Sequence, residues 1–246
     1  ALKKTENFVQ EAKIDTSSRK LTIISLSPSY SINSKSGYFY FEPSYMRGLS
    51  AFNAKRDVAG TDGLTPKAQF DKFSFRGNYY KGFNLFKQSF YFTSNISVQY
   101  SPDSLFSTEQ IYIGDEYSVR GYKEKSASGD SGVYAQNEFV WSKSVGSFVN
   151  NSNNKFTKIP SLIIDSLIGN STLESFVGYD LGAVRQRGGK EASFNEGKAY
   201  LTGLATGIRL KGSNITFSIT HSRSIKETAF VGKSKEWYGK ITYRLW

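Results

Sequence analysis

The sequence predicts an all-β fold made of long antiparallel strands, each apolar on one face and polar on the other, of the kind that closes into a transmembrane β-barrel. Three observations predict it. Apolar and polar residues alternate over stretches of about 10–13 residues, whereas strands of soluble proteins average about five or six and membrane-barrel strands need about nine to eleven. The polar face is built from Ser, Asn, Thr and Gly, too small and too regular for a packed soluble core. Tyr (16) and Phe (19) are plentiful against a single Met, a balance that favours strands over helices. A soluble β-sheet binding module, sandwich or lipocalin-like, is the competing reading; strand length and the serine-rich face argue against it.

The composition excludes several function classes. With no cysteine and one histidine, His221, the chain offers neither a thiolate nor a histidine-rich metal site. The net charge of +11 is compatible with an anionic surface or an anionic guest, but the basic residues are scattered rather than gathered into a nucleic-acid-binding run. No stretch reaches the roughly 18 apolar residues of a membrane helix, a test that a β-barrel escapes. There is no Gly-rich phosphate loop ending in Lys-Ser/Thr, so no nucleotide is expected. Neither Ser222 nor Ser224, beside His221, has an obvious orienting acid, so no catalytic residue is assigned and no cofactor or metal is expected. The 246 residues are read as one barrel domain. The chain opens on A-L-K-K-T-E-N, with no signal peptide, as a processed or excised piece would.

Taken in order, residues 1–20 are polar and carry no clear pattern. Ile24, Leu26, Pro28, Tyr30 and Ile32 then alternate with serines and Asn33, which reads as one continuous strand. Residues 38–49 form an aromatic strand with Phe39, Phe41 and Tyr45 on one face, interrupted by Pro43, which suits a bulge or a lipid-facing position. Residues 50–67 are a Gly/Asp/Lys loop. Phe73, Phe75, Gly77 and Tyr79 mark the next strand, and Phe90, Phe92, Ile96, Val98 and Tyr100 the one after. A short strand at about 107–114 leads into a loop, and further strands are expected at 132–142, 173–184, 198–211, 213–223 and 236–246, ten in all. Lys211, Gly212 and Ser213 make a tight turn. Aromatic residues near strand ends (Tyr30, Tyr100, Trp141, Tyr200, Trp237, Tyr243) suit an interfacial girdle. Residues 143–172 and 50–67 are long for connections on what counts as the short-turn side, and S-L-I-I-D-S-L-I (161–168) reads as either a short helix or an extra strand.

The loop G-D-E-Y-S-V-R-G-Y (114–122) sets Arg120, a rigid fork of donors suited to a carboxylate, between Val119 and Gly121, with Tyr122 following. Gly121 permits a turn that other residues resist. Two carboxylates lie in phase with a polar interior. Asp180 shares its face with Gly178 and Gly182, opposite Val177, Tyr179 and Leu181. Glu138 shares its face with Tyr134 and Gln136, opposite Phe139 and Trp141. A buried carboxylate is costly unless paired or wet, and Arg120 is a natural partner.

Three motifs, in this order and spacing, carry a family resemblance: V-R-G-Y at 119–122 with the preceding S-P-D-S-L-F-S-T-E-Q-I-Y-I-G run, the G-x-x-x-x-N-E strand after it, and F-V-G-Y-D-L-G at 176–182. Together they resemble the outer-membrane transporters of two-partner secretion, the TpsB family, over roughly residues 20–246. The resemblance implies a sixteen-stranded antiparallel barrel of which this chain is the C-terminal ten strands or so, without the N-terminal strands, the plug helix and the periplasmic domains. It implies that the V-R-G-Y loop folds into the lumen, with Arg120 against Asp180 and Glu138 a second candidate partner. The expected function is a monomeric pore in the bacterial outer membrane that passes a large unfolded exoprotein (adhesin, haemolysin or contact-dependent inhibition toxin), is not an enzyme and binds no nucleic acid. Its surroundings would be outer-membrane lipid and lipopolysaccharide, met by rim cations such as Arg185, Arg187 and Lys190. A barrel-assembly protein of the same superfamily shares the loop and is the alternative. The last strand departs slightly from the usual barrel ending, because Trp237, Ile241, Tyr243 and Leu245 are in phase while Trp246 is one step off.

Overall fold

The computed structural model describes residues 1–5, 8–9, 12–13, 19–60, 63–122, 126–146, 171–187, 197–226 and 231–244. The described strands are β1 (Leu2–Thr5), β2 (Phe8–Val9), β3 (Ala12–Lys13), β4 (Arg19–Leu26), β5 (Tyr30–Ser34), β6 (Gly37–Leu49), β7 (Asp71–Leu85), β8 (Gln88–Tyr100), β9 (Ile111–Ile113), β10 (Ala127–Gly129), β11 (Ser131–Gly146), β12 (Ser171–Arg185), β13 (Lys198–Lys211), β14 (Ile215–Ser224) and β15 (Lys235–Tyr243). Eleven form one antiparallel sheet in the order β1-β4-β6-β7-β8-β11-β12-β13-β14-β15, with β5 also on β6. Its long members run 13–16 residues from β6 to β12, the length that a tilted barrel strand needs.

One face of the sheet is bare. Val177 (59% exposed), Tyr179, Leu181, Ile208, Ile219, Trp237 and Ile241 (70%) project from it with nothing over them. The alternate residues are covered or line a polar interior: Phe176, Asp180, Leu201 and Ala205 are buried. This is the reverse of a soluble sheet, where the apolar face is the covered one. The face assignments for Asp180 and Glu138 follow the expected phase: Asp180 is fully buried and Phe139, beside Glu138, lies on the bare face.

The two ends of the sheet differ. At one end lie the short turns that the structure describes; residues 147–170, which join β11 to β12 at that end, lie outside the described residues. The β7–β8 hairpin turns on Phe86 and Lys87, whose φ angles of 51° and 59° are both left-handed, the twist a two-residue hairpin favours. Gly212 donates to the Ile215 carbonyl at 2.7 Å to close the β13–β14 turn. At the other end lie 50–70, 101–130, 186–197 and 225–234.

Three expectations are corrected. The stretch 107–114 is not a spanning strand. It folds as a 3-10 turn (Ser107–Glu109) and the three-residue β9, which pairs with β10 outside the main sheet. Removing it changes the parity, so 50–67 lies at the long-loop end rather than among the short turns. It is also packed: Ala68 and Phe70 bury with Leu21, Ile23 and Leu105, and the Asp57 carboxylate accepts from the amides of Ala68 (2.6 Å) and Gln69 (3.0 Å).

The single strand expected over 24–33 is split. Leu26 opposes Tyr45 and Tyr30 opposes Phe41, so the register is constant and Pro28 sits opposite Pro43. Neither proline has an N–H to give, and the ladder stops at 27–29; a Ser27–Ser44 hydroxyl bond of 2.6 Å spans the gap. The segment 161–168, Lys190 and the terminal Leu245–Trp246 pair lie outside the described residues.

Candidate functional site

The site is the loop that leaves β9, crosses the covered face and returns through β10. Its first turn closes on itself: the Asp115 carboxylate accepts from Tyr117 N (3.0 Å) and Ser118 Oγ (2.6 Å), and Gly114 N donates to Ser118 Oγ (3.1 Å). Such self-bonding is what Asp and Ser contribute to turns. Ile111, Ile113, Val119 and Tyr122 then bury against Val184, Ala199 and Leu201 of β12 and β13. At about 1.5–3 kcal/mol for each large apolar side chain removed from water, this cluster offsets much of the cost of ordering the loop. Tyr122 adds direction, because its hydroxyl lies 2.9 and 2.8 Å from the carbonyls of Thr202 and Lys226 and accepts from Thr202 N at 3.1 Å. A second brace is Asp130, whose carboxylate accepts from the amides of Leu105 and Arg187, both at 2.7 Å.

Held this way, Arg120 meets the sheet. Asp180 receives Nε at 2.7 Å and Nη2 at 2.9 Å, a two-pronged pair, and its Oδ2 also accepts the Arg120 main-chain N–H at 3.1 Å. Nη1 donates to Glu138 Oε1 at 2.5 Å. The arginine side chain is 4% exposed and that of Asp180 0%. Burial works against the charged guanidinium, but the carboxylates of Asp180 and Glu138 outweigh it and hold the Arg120 pKa above its ordinary value. The four motif residues 119–122 and both expected carboxylates are therefore in one cluster.

Close approach depends on glycine. Gly121 has φ +94°, and a Cβ there would strike the backbone of Arg223 and Ser224; a Cβ on Gly203 would strike the Arg120 carbonyl, and one on Gly178 the guanidinium itself.

Three charged residues of this cluster, Arg209, Lys211 and Glu174, were not named as site residues from the sequence. Arg209 donates from Nη2 to the same Glu138 oxygen at 2.7 Å and lies 4.0 Å over the Phe176 ring. Lys211 Nζ donates to Glu174 at 2.7 Å. The cluster thus holds three cations (Arg120, Arg209, Lys211) against three carboxylates (Asp180, Glu138, Glu174). The period of two contained the signal: Glu174 and Phe176 are in phase with Asp180, and Arg209 and Lys211 with Gly203 on the neighbouring strand.

The Ser–His pairing at 221–224 is not formed. Ser222 and Ser224 are buried on the covered face, while His221 stands on the bare face with its ring 4.6 Å from that of Trp237. Among the described residues no group of His, Asp and Glu is arranged to hold a metal ion.

Comparison with known proteins bears on what such a loop belongs to. The family model for haemolysin secretion/activation protein ShlB/FhaC/HecB matches residues 1–210. The chain belongs to the ShlB/FhaC/HecB family. These are the two-partner-secretion transporters that the motifs resemble. Outer membrane transporter CdiB of Dickeya dadantii (strain 3937) is 33% identical over 135 residues, which is 55% of this chain and 24% of that protein. Hemolysin transporter protein ShlB of Serratia marcescens is 24% identical over 221 residues, 90% of this chain and 34% of that one. The chain spans about a quarter to a third of the length of these family members. Of solved structures, CdiB from Escherichia coli superimposes with a TM-score of 0.75 at 23% identity, covering 97% of this chain and 39% of CdiB. CdiB from Acinetobacter baumannii gives 0.70 at 21% identity, covering 98% and 37%. The fold is thus that of the family's CdiB structures, an all-β antiparallel sheet with its arginine loop laid on the covered face.

Proposed function

We propose that this chain forms part of the wall of an outer-membrane pore that passes a large unfolded exoprotein to the cell surface, and that Arg120, set by Asp180 and Glu138, keeps the V-R-G-Y loop at a fixed depth in the lumen. The observation that carries the reading is the two-pronged, buried Arg120–Asp180 pair in a chain of a transporter family. Such a pair fixes orientation as well as position, which a loop sharing a channel with a moving polypeptide requires. Its relatives are named outer membrane or hemolysin transporters. The reading assigns no reaction to this chain: the lumen guides, and folding of the exoprotein outside supplies the pull.

The 246 residues act as one barrel domain in a monomeric transporter. The bare apolar face meets lipid, and the cations at the long-loop end meet lipopolysaccharide. No nucleic acid takes part. The test is Arg120→Ala in the full-length transporter. A barrel that still folds, judged by heat-modifiable mobility, but secretes poorly supports the proposal; normal secretion overturns it.

A further inference from the structure

The bare face is graded along β13, β14 and β15. The register places Leu204, Arg223 and Lys235 in one row across the three strands. Below it come Thr206, His221 and Trp237, then Ile208, Ile219 and Gly239, then Leu210, Phe217 and Ile241, and finally Ile215 with Tyr243. From the Arg223 row to the Ile215 row is eight residues, about 26 Å along the strand and about 20 Å in height once the usual barrel tilt is allowed for, inside the roughly 25 Å apolar band of such barrels. Cations therefore lie at one border, aromatic rings next to them and aliphatic residues beyond, which is the order of headgroup, interface and acyl chain.

The cationic row is unusual in itself. Arg223 and Lys235 are directly opposed and both exposed, an arrangement that is destabilising between like charges on a strand pair. Lys233 lines the same hollow, of about 770 Å³, together with the apolar Leu204 and Ile225. No acid among the described residues lines it: Glu236 falls on the other face, bonded to the Ser234 hydroxyl. The backbone beneath is fixed, since Ser224 N donates to Ser234 O at 3.0 Å and Ser234 N to Ser224 Oγ at 2.7 Å. A second hollow of about 620 Å³, apolar and lined by Ile208, Leu210, Phe217, Ile219, His221 and Trp237, continues down the same strands.

We propose that these two hollows form one binding site for a phosphorylated glycolipid of the outer leaflet, a lipid A-type molecule, with a phosphate held between Arg223 and Lys235 and an acyl chain running over His221 and Trp237. The site lies at the long-loop end, and in such barrels the longer loops are the external ones. It rests on the outer-membrane reading above, but needs only the folded protein in a bilayer.

The experiment is native mass spectrometry of the full-length protein in nanodiscs, titrated with bis-phosphorylated lipid A, with the same glycolipid lacking phosphate, and with phosphatidylglycerol. Wild type is expected to prefer bis-phosphorylated lipid A over the phosphate-free form by about thirtyfold, the effect of two interfacial cations. Arg223→Gln/Lys235→Gln is expected to remove that preference, and Lys87→Gln, an exposed cation in the β7–β8 turn at the opposite end of the sheet, to keep it. No discrimination by wild type, equal binding of phosphatidylglycerol, or equal loss in Lys87→Gln overturns the proposal. If the double variant does not fold, the phosphate-free arm on wild type decides alone. Failed secretion with intact lipid discrimination counts against translocation only; intact secretion without discrimination counts against this site only.

Discussion

At the scale of single residues, the two carboxylates around Arg120 are not equivalent. Asp180 is sealed and accepts three N–H groups of Arg120, whereas Glu138 retains some contact with the interior and divides one oxygen between Arg120 and Arg209. Removing one partner of a buried pair leaves an uncompensated charge and costs about 3–5 kcal/mol. Asp180→Ala is therefore expected to release the loop, and Glu138→Gln, which keeps an acceptor in place while Asp180 still holds the fork, to loosen it by much less. The chain has no cysteine, so thiol labelling of Ser118→Cys, buried in the docked loop, reads the difference. Labelling is expected to be fast with Asp180→Ala and near the parental rate with Glu138→Gln; equal rates contradict the ranking. The arginine is not a pH switch. Its raised pKa means that its contribution is complete below the ordinary arginine value and is lost only as pH rises through the still higher folded-state value, far above physiological pH.

At the scale of elements, the glycines are the tightest constraint. Gly203→Ala puts a methyl group against the Arg120 carbonyl, while Gly239→Ala on the bare face meets nothing. The first is expected to lower the unfolding temperature and expose Ser118→Cys, and the second to leave both unchanged; thermal melts of the two variants in one detergent check this. Alternation alone assigned Asp180, Glu138 and their neighbours to the right face, because a period of two admits only two choices. It also held Arg209 and Glu174, but a cation and an acid on different strands become partners only through register, and register depends on long-range pairing. The stretch 107–114 forms only the short β9 and does not span, for a related reason: Ile111, Tyr112 and Ile113 alternate like a spanning strand, yet Ile111 and Ile113 serve the loop cluster. Opposition of Pro28 and Pro43 was likewise invisible until the hairpin register was known.

At the scale of the molecule, the described sheet ends in two unpaired strand edges, β1 and β15, and turns its apolar residues outward. Lipid cannot satisfy a free edge, and water does not favour such a band. The protein is expected to partition into the detergent phase on extraction and to precipitate when detergent is withdrawn. A monodisperse species in detergent-free buffer would restore the soluble-module reading.

The facing prolines have a mechanical meaning. Where Pro28 looks at Pro43, the wall between β4–β5 and β6 has a crease already cut: three positions carry no rung, while on the far side β6 stays fastened to β7 from residue 38 to 47. At that crease β4–β5 is held to β6 by the Ser27–Ser44 hydroxyl bond in place of main-chain rungs. The crease borders the Tyr30–Phe41 hairpin and lies apart from β11 and β12, whose carboxylates hold Arg120.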